Sequence, residues 1–162
     1  MPVSTRQSSK RSDDPTSTSS AGAESKTGFN AYNITTPLLV FFAITHTIGG
    51  VFKENDFGPA ANAIMKAMKT EAFVFYGAHR TLHDFHKGFG LGCTIFLTMS
   101  AALSWVLSRS SNKGHSEVLK PVKWILFLSH VANTALCFMY FFIPPMVVST
   151  VLAGLLGWEC LN

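Results

Sequence analysis

The chain has 162 residues, 48% of them hydrophobic and 12% aromatic, and only 14% charged, against roughly a quarter in soluble domains. Its formal net charge is +4, but the basic residues flank apolar runs and form no cluster with interleaved aromatics, which excludes a nucleic-acid surface. Three cysteines (Cys93, Cys137, Cys160) without a CxxC pair lie inside apolar runs, so they read as small buried hydrophobes and exclude a disulfide scaffold.

Residues 1–28 are rich in Ser, Thr, Lys and Arg, with Val3 the one large aliphatic side chain. Such a segment cannot bury enough apolar surface to fold, and it reads as a disordered tail. It lacks the apolar run of a signal peptide, and Pro2 in place of glycine excludes myristoylation. Residues 29–162 read as one all-α membrane domain, a four-transmembrane-helix bundle.

The first expected span covers about 34–52, some 19 residues and enough to cross roughly 30 Å of hydrocarbon. The second covers about 89–107 and the third about 122–143, where Pro144-Pro145 breaks the helix. The fourth, about 146–161, is short. Between the first two spans, Ala60 to His86 contains Gly77 but no other glycine or proline. It is rich in Ala, Met, Lys and Glu, which predicts an amphipathic helix along the membrane surface that runs into the second span.

Orientation follows from lysine and arginine. Eight (Arg6, Lys10, Arg11, Lys26, Arg109, Lys113, Lys120, Lys123) fall on the side of the termini and five (Lys53, Lys66, Lys69, Arg80, Lys87) on the other. This bias places both termini in the cytosol, with the endoplasmic reticulum the expected membrane. The sequon Asn33-Ile34-Thr35 then faces the cytosol, and no glycan is expected.

Polar side chains inside a span are expensive and are functional candidates. His46 is expected near the midplane of the first span, with Ala43, Gly49 and Gly50 on its face, so that another helix can come close. His130 lies in the third span with Asn133 and Cys137 along one face, and its expected depth lets it share a polar pocket with His46. For both, hydrogen bonding between helices is at least as good a reading as chemistry. Thr94, Thr98, Ser104, Ser149 and Thr150 read as hydrogen-bonded within or between helices. Glu159, near the end of the fourth span, is another acid–base candidate, although its terminal position favours fraying and exposure. Ala153 and Gly157 offer a small-residue face for close packing.

On a helix of about 100° per residue, His79, His83 and His86 form one stripe and Arg80, Asp84 and Lys87 a second. Phe75, Ala78, Leu82, Phe85 and Phe89 form an apolar third stripe. The plain reading is an amphipathic helix with an Arg80–Asp84 pair. A metal reading assigns His79, His83 and His86 as ligands, but histidine-box enzymes need more ligands than six histidines supply. No cofactor is otherwise expected. An acid–base reading takes His46, Arg80, His83, Asp84 and His130 as the catalytic set.

Two pieces, His46-Thr-Ile-Gly-Gly50 and Arg80-Thr-Leu-His-Asp84-Phe-His-Lys-Gly88-Phe-Gly90, resemble a family of small four-span membrane proteins of bacteria and fungi that has no agreed activity. The resemblance covers most of the chain after Tyr32. It implies that His46, Arg80 and Asp84 matter, and it implies no reaction. The size and four-span plan are also similar to fungal anthrone oxygenases, small membrane enzymes of polyketide pathways. His79 and His86 carry over from neither group.

Three functions follow as expectations. The first is a membrane enzyme tailoring a lipophilic small molecule by cyclisation, isomerisation or cofactor-free oxidation in secondary metabolism. The second is a non-catalytic scaffold or accessory subunit bound to a membrane protein partner, and the third an oligomeric transporter. The expected partners are membrane lipid, a lipophilic small molecule, and another membrane protein or further copies of this chain.

Overall fold

The computed structural model describes residues 30–111 and 116–162, and the expectation for residues 1–28 lies outside them. Helix α1 (Tyr32–Thr45) continues directly into a π-helical segment (His46–Phe52). A connection then carries α2 (Pro59–Thr70) and two short antiparallel strands, β1 (Ala72–Phe75) and β2 (Ala78–Thr81). Helix α3 (Leu82–Ser111), α4 (Ser116–Tyr140) and α5 (Ile143–Leu161) complete the bundle. Four stretches, Tyr32–Phe52, Leu82–Ser110, Val118–Tyr140 and Ile143–Leu161, are long and apolar enough to cross a membrane. The chain is therefore a multi-pass membrane protein.

The polypeptide takes this form because hydrocarbon offers no partner for backbone N–H and C=O groups, which a helix satisfies internally. Few side chains are buried inside the bundle. Leu39, Ala43, Leu97, Ala101 and Leu152 join α1, α3 and α5. Tyr32, Leu107, Leu126 and Leu156 draw one residue from each spanning helix. Other large apolar residues, such as Phe41, Ile95 and Phe138, point outward, as lipid-facing side chains do. The four helices form two intimate pairs, α1 with α3 and α4 with α5. Helix α5 also touches α1, whereas α3 and α4 meet only sparsely.

Three boundaries differ from the sequence reading. The third spanning helix stops at Tyr140, and Pro144 and Pro145 lie in the first turn of α5 instead of ahead of it. Proline is tolerated there because first-turn N–H groups have no helical partner. The second spanning helix starts at Leu82 and not near Phe89. At 30 residues it measures about 45 Å, more than the roughly 30 Å of hydrocarbon. Its polar surplus, His83 to Lys87, lies at the end where the connection enters. Finally, the helix expected over Ala60 to His86 is real only as α2 (Pro59–Thr70). Beyond it the chain turns back as a hairpin whose two loop residues, Tyr76 (φ 46°) and Gly77 (φ 81°), both have positive φ. Such a turn matches the twist of paired strands.

The hairpin is held by rings. Phe73 stacks on Phe85 of α3 at 5.8 Å between centroids, and Phe75 meets Phe85 edge-on at 6.4 Å. At the opposite end of the bundle Ser108 donates to Asn33 Oδ1 at 2.6 Å, and Glu159 accepts from the backbone N–H of Ala31. These two ends are called below the hairpin end and the Glu159 end.

Candidate functional site

The hairpin end does not assemble the histidine stripe. His79 and Arg80 lie on β2, where side chains alternate between faces, so neither continues the helical register of His83 and His86. His79 and His86 are exposed, and His83 is half-buried. No group of three His, Cys, Asp or Glu side chains suited to a metal ion occurs among the described residues. The Arg80–Asp84 pair expected at i, i+4 is replaced as well. The Arg80 guanidinium donates to the His79 carbonyl at 2.8 Å.

Asp84 caps a helix instead. The Thr81 N–H donates to Asp84 Oδ2 at 2.9 Å, and the Asp84 N–H donates to Thr81 Oγ1 at 3.1 Å. This reciprocal pair satisfies two N–H groups that the first turn of α3 leaves open. Thr81→Ala should loosen that turn without disturbing the bundle. Hydrogen exchange would then speed up at Leu82–Phe85 and stay unchanged at Leu97–Ala101. Equal exchange in both segments would contradict the capping role.

Outside the spans, the Lys69 ammonium beside Glu54 holds that carboxyl below its ordinary range, chiefly through their hydrogen bond. The link between the connection and α2 is therefore complete above the ordinary carboxylate range and is lost as pH falls through the lowered value. Glu54 is well exposed, so the link pins local geometry more than it stabilises the fold.

His46 opens the π-helical turn, six residues before Phe52 at the hairpin end of the first span. Its Nε2 is 3.1 Å from the carbonyl of Gly90 on α3. Below it, Thr47 and Thr94 share a hydrogen bond of 2.8 Å. The helices come this close because Gly90 has no side chain: a Cβ there would stand 2.7 Å from Cγ2 of buried Val51. The π-helical turn, with Lys53 N–H donating to the Ile48 carbonyl, carries both His46 and Val51 to that contact. His46 thus serves as a lock between the first two spans. Gly90→Ala should destabilise the protein by about 1–3 kcal/mol through overpacking, read as a lower unfolding midpoint in detergent. Co-substitution of Val51→Ala should recover most of the loss.

His130 is different. It is fully buried midway along α4, and neither Nδ1 nor Nε2 has a hydrogen-bond partner among the described residues. Its ring lies 5.2 Å from that of Phe96, tilted by 35°. Phe96 is six residues beyond Gly90 on α3, about 9 Å along the helix axis. His46 therefore meets α3 at Gly90 and His130 meets it at Phe96, and no hydrogen bond joins the two histidines. Of the other span hydroxyls, Thr94, Thr98, Ser149 and Thr150 donate to their own helices. Buried Ser104 has no hydrogen-bond partner among the described residues. Between α3 and α4 lies an open cleft of about 180 Å³ lined by Phe96, Met99, Leu103, Val122, Ile125 and Leu126, with the hydroxyl-bearing Ser100 and Ser129 among them.

The exposure expected of Glu159 is corrected by the structure. It is buried, not frayed, and its carboxylate accepts from Ala31 at the head of α1. Lys123 stands 5.9 Å from the centre of the neighbouring Tyr32 ring. The available signal was an acidic residue in the last turn of a helix, where the dipole disfavours it unless another helix start is close. No family model, no curated protein and no solved structure matches this chain.

Proposed function

We propose that this membrane protein is a small enzyme acting on a lipophilic molecule by proton transfer, with His130 as the acid–base group. The supporting observation is the bare imidazole of His130, fully buried beside an apolar cleft. Leaving a buried donor or acceptor unpaired costs about 1–3 kcal/mol, and packing alone would favour an apolar residue at this position. A neutral imidazole offers one donor and one acceptor nitrogen. It can take a proton from one atom of a bound substrate and return it at another, which is isomerisation, or return it to the atom exposed when a ring closes. Cofactor-free oxidation would require dioxygen in addition. His46 is then a positioning residue, and Asp84 a helix cap. Secondary metabolism in an endoplasmic-reticulum membrane, with both termini cytosolic, is the setting that the charge bias and the apolar site suit.

The test is metabolite profiling of the native host with the gene deleted and complemented at matched protein levels. A precursor should accumulate that wild type and Asp84→Ala clear and His130→Phe does not. An unchanged profile, or full rescue by His130→Phe, would sink the enzyme reading.

One observation favours the second reading, an accessory subunit. Gly88 and Gly92 stand one turn apart on α3, and a Cβ at either would meet nothing within 4 Å, an open small-residue face of the kind that receives another helix. The face expected at Ala153 and Gly157 is not available, because Phe127 already fills the Gly157 notch. Gly88→Leu should abolish co-purification of a partner under this reading and leave the enzyme reading untouched.

A further inference from the structure

We propose that the cleft between α3 and α4 is a lateral binding site, open to the bilayer, for an uncharged apolar molecule that carries a single carbonyl or hydroxyl group. The site rests on the His130 reading above, and it adds the route of entry and the chemistry of the occupant.

The route follows from how the helices pair. Two tight pairs leave one loose seam, and the cleft lies in that seam. Met99, Leu103 and Ile125 on its walls are exposed on spanning helices, so hydrocarbon reaches them without crossing water. The occupant's body follows from the walls. Apart from the Ser100 and Ser129 hydroxyls they are aliphatic and aromatic, and they carry no charged side chain, which would leave an ionised ligand group unpaired in a dry site. Its polar feature follows from what stands behind the wall. Phe96 lines the cleft and also meets the His130 ring, so a ligand that moves Phe96 aside reaches two unpartnered ring nitrogens. A carbonyl accepts from one of them, and a hydroxyl engages either. Charged lipid headgroups are poor occupants, since the basic residues among those described gather at the two ends of the bundle and not along this seam.

The experiment uses the full chain in lipid nanodiscs and two diazirine probes of equal length, a long-chain ketone and the matching alkane, with labelled peptides mapped by mass spectrometry. The ketone should label Phe96–Leu103 and Val122–Ser129 above all other lipid-facing segments. Met99→Trp, which fills the cleft, should suppress labelling there by both probes. His130→Phe should lower ketone labelling about tenfold, the loss expected when one buried hydrogen bond is removed, and leave alkane labelling unchanged. His130→Gln, which keeps a donor and an acceptor, should restore part of the ketone signal. Uniform labelling along the helices, or a ketone signal indifferent to both Met99→Trp and His130→Phe, would overturn the site. The two readings separate cleanly. Cleft labelling that needs His130, with unchanged metabolites in the His130→Phe strain, keeps the site and removes the enzyme. A changed metabolite profile with labelling indifferent to Met99→Trp removes the site.

Discussion

His130→Phe is expected to make the protein more stable, by about 1–3 kcal/mol, while removing the proton transfer proposed for it. The direction follows from two bare ring nitrogens in a fully buried position. Phenylalanine keeps a flat ring against Phe96, so packing changes little and the unpaired polar groups disappear. His130→Ala should go the other way and cost about 2–4 kcal/mol, since it leaves a cavity that rigid helices fill only in part. Equilibrium unfolding of both variants in bicelles gives the two signs directly. If His130→Phe were as destabilising as His130→Ala, the imidazole would be holding a structural hydrogen bond, and its role in chemistry would lose its physical basis.

Glu159→Ala should be the most damaging change at the other end, costing roughly 2–3 kcal/mol. Helix α1 has no acidic residue in its first turn, and no side chain of its own caps Ala31. The carboxylate of α5 supplies both a hydrogen-bond acceptor for the Ala31 N–H and a negative charge at the positive end of the α1 dipole. Removing it leaves a buried N–H unpaired beside fully buried Tyr32. Glu159→Gln keeps an acceptor and loses the charge, and should recover about half of the deficit. The measurement is the unfolding midpoint, together with hydrogen exchange at Asn33–Thr36, which should accelerate in Glu159→Ala. Unchanged exchange there would show that α1 is capped by other means.

The four spans were legible because apolar length is a strong signal that tertiary context cannot reverse. The connection was misread for a local reason. Helix formers dominate Ala60 to Thr70, and that segment is helical. Beyond Glu71 the Phe73-Val74-Phe75 run and the Tyr76-Gly77 turn favour paired strands, and extending the helix through them produced a histidine stripe that the hairpin dissolves. The Thr81-x-x-Asp84 capping box was equally readable in the sequence. The site was harder. His46 and His130 look alike as histidines inside apolar runs. What separates them is a carbonyl on another helix at Gly90 and the lack of a hydrogen-bond partner for His130 among the described residues, and both depend on how helices distant in sequence cross.

The long-range cap has a consequence for biogenesis. A spanning segment is threaded into the bilayer in the order of its synthesis, so α1 enters first, with the Ala31 N–H open. The group that closes it belongs to α5, 128 residues later. Until that helix arrives, the start of α1 holds its own local hydrogen bonds, such as Tyr32 N–H to Asn30 Oδ1, and the contacts it makes with α3, such as Asn33 with Ser108. Of the four spans, α1 is therefore finished last, and chains stalled before α5 should present its Ala31 N–H uncapped to whatever machinery surveys incomplete membrane proteins.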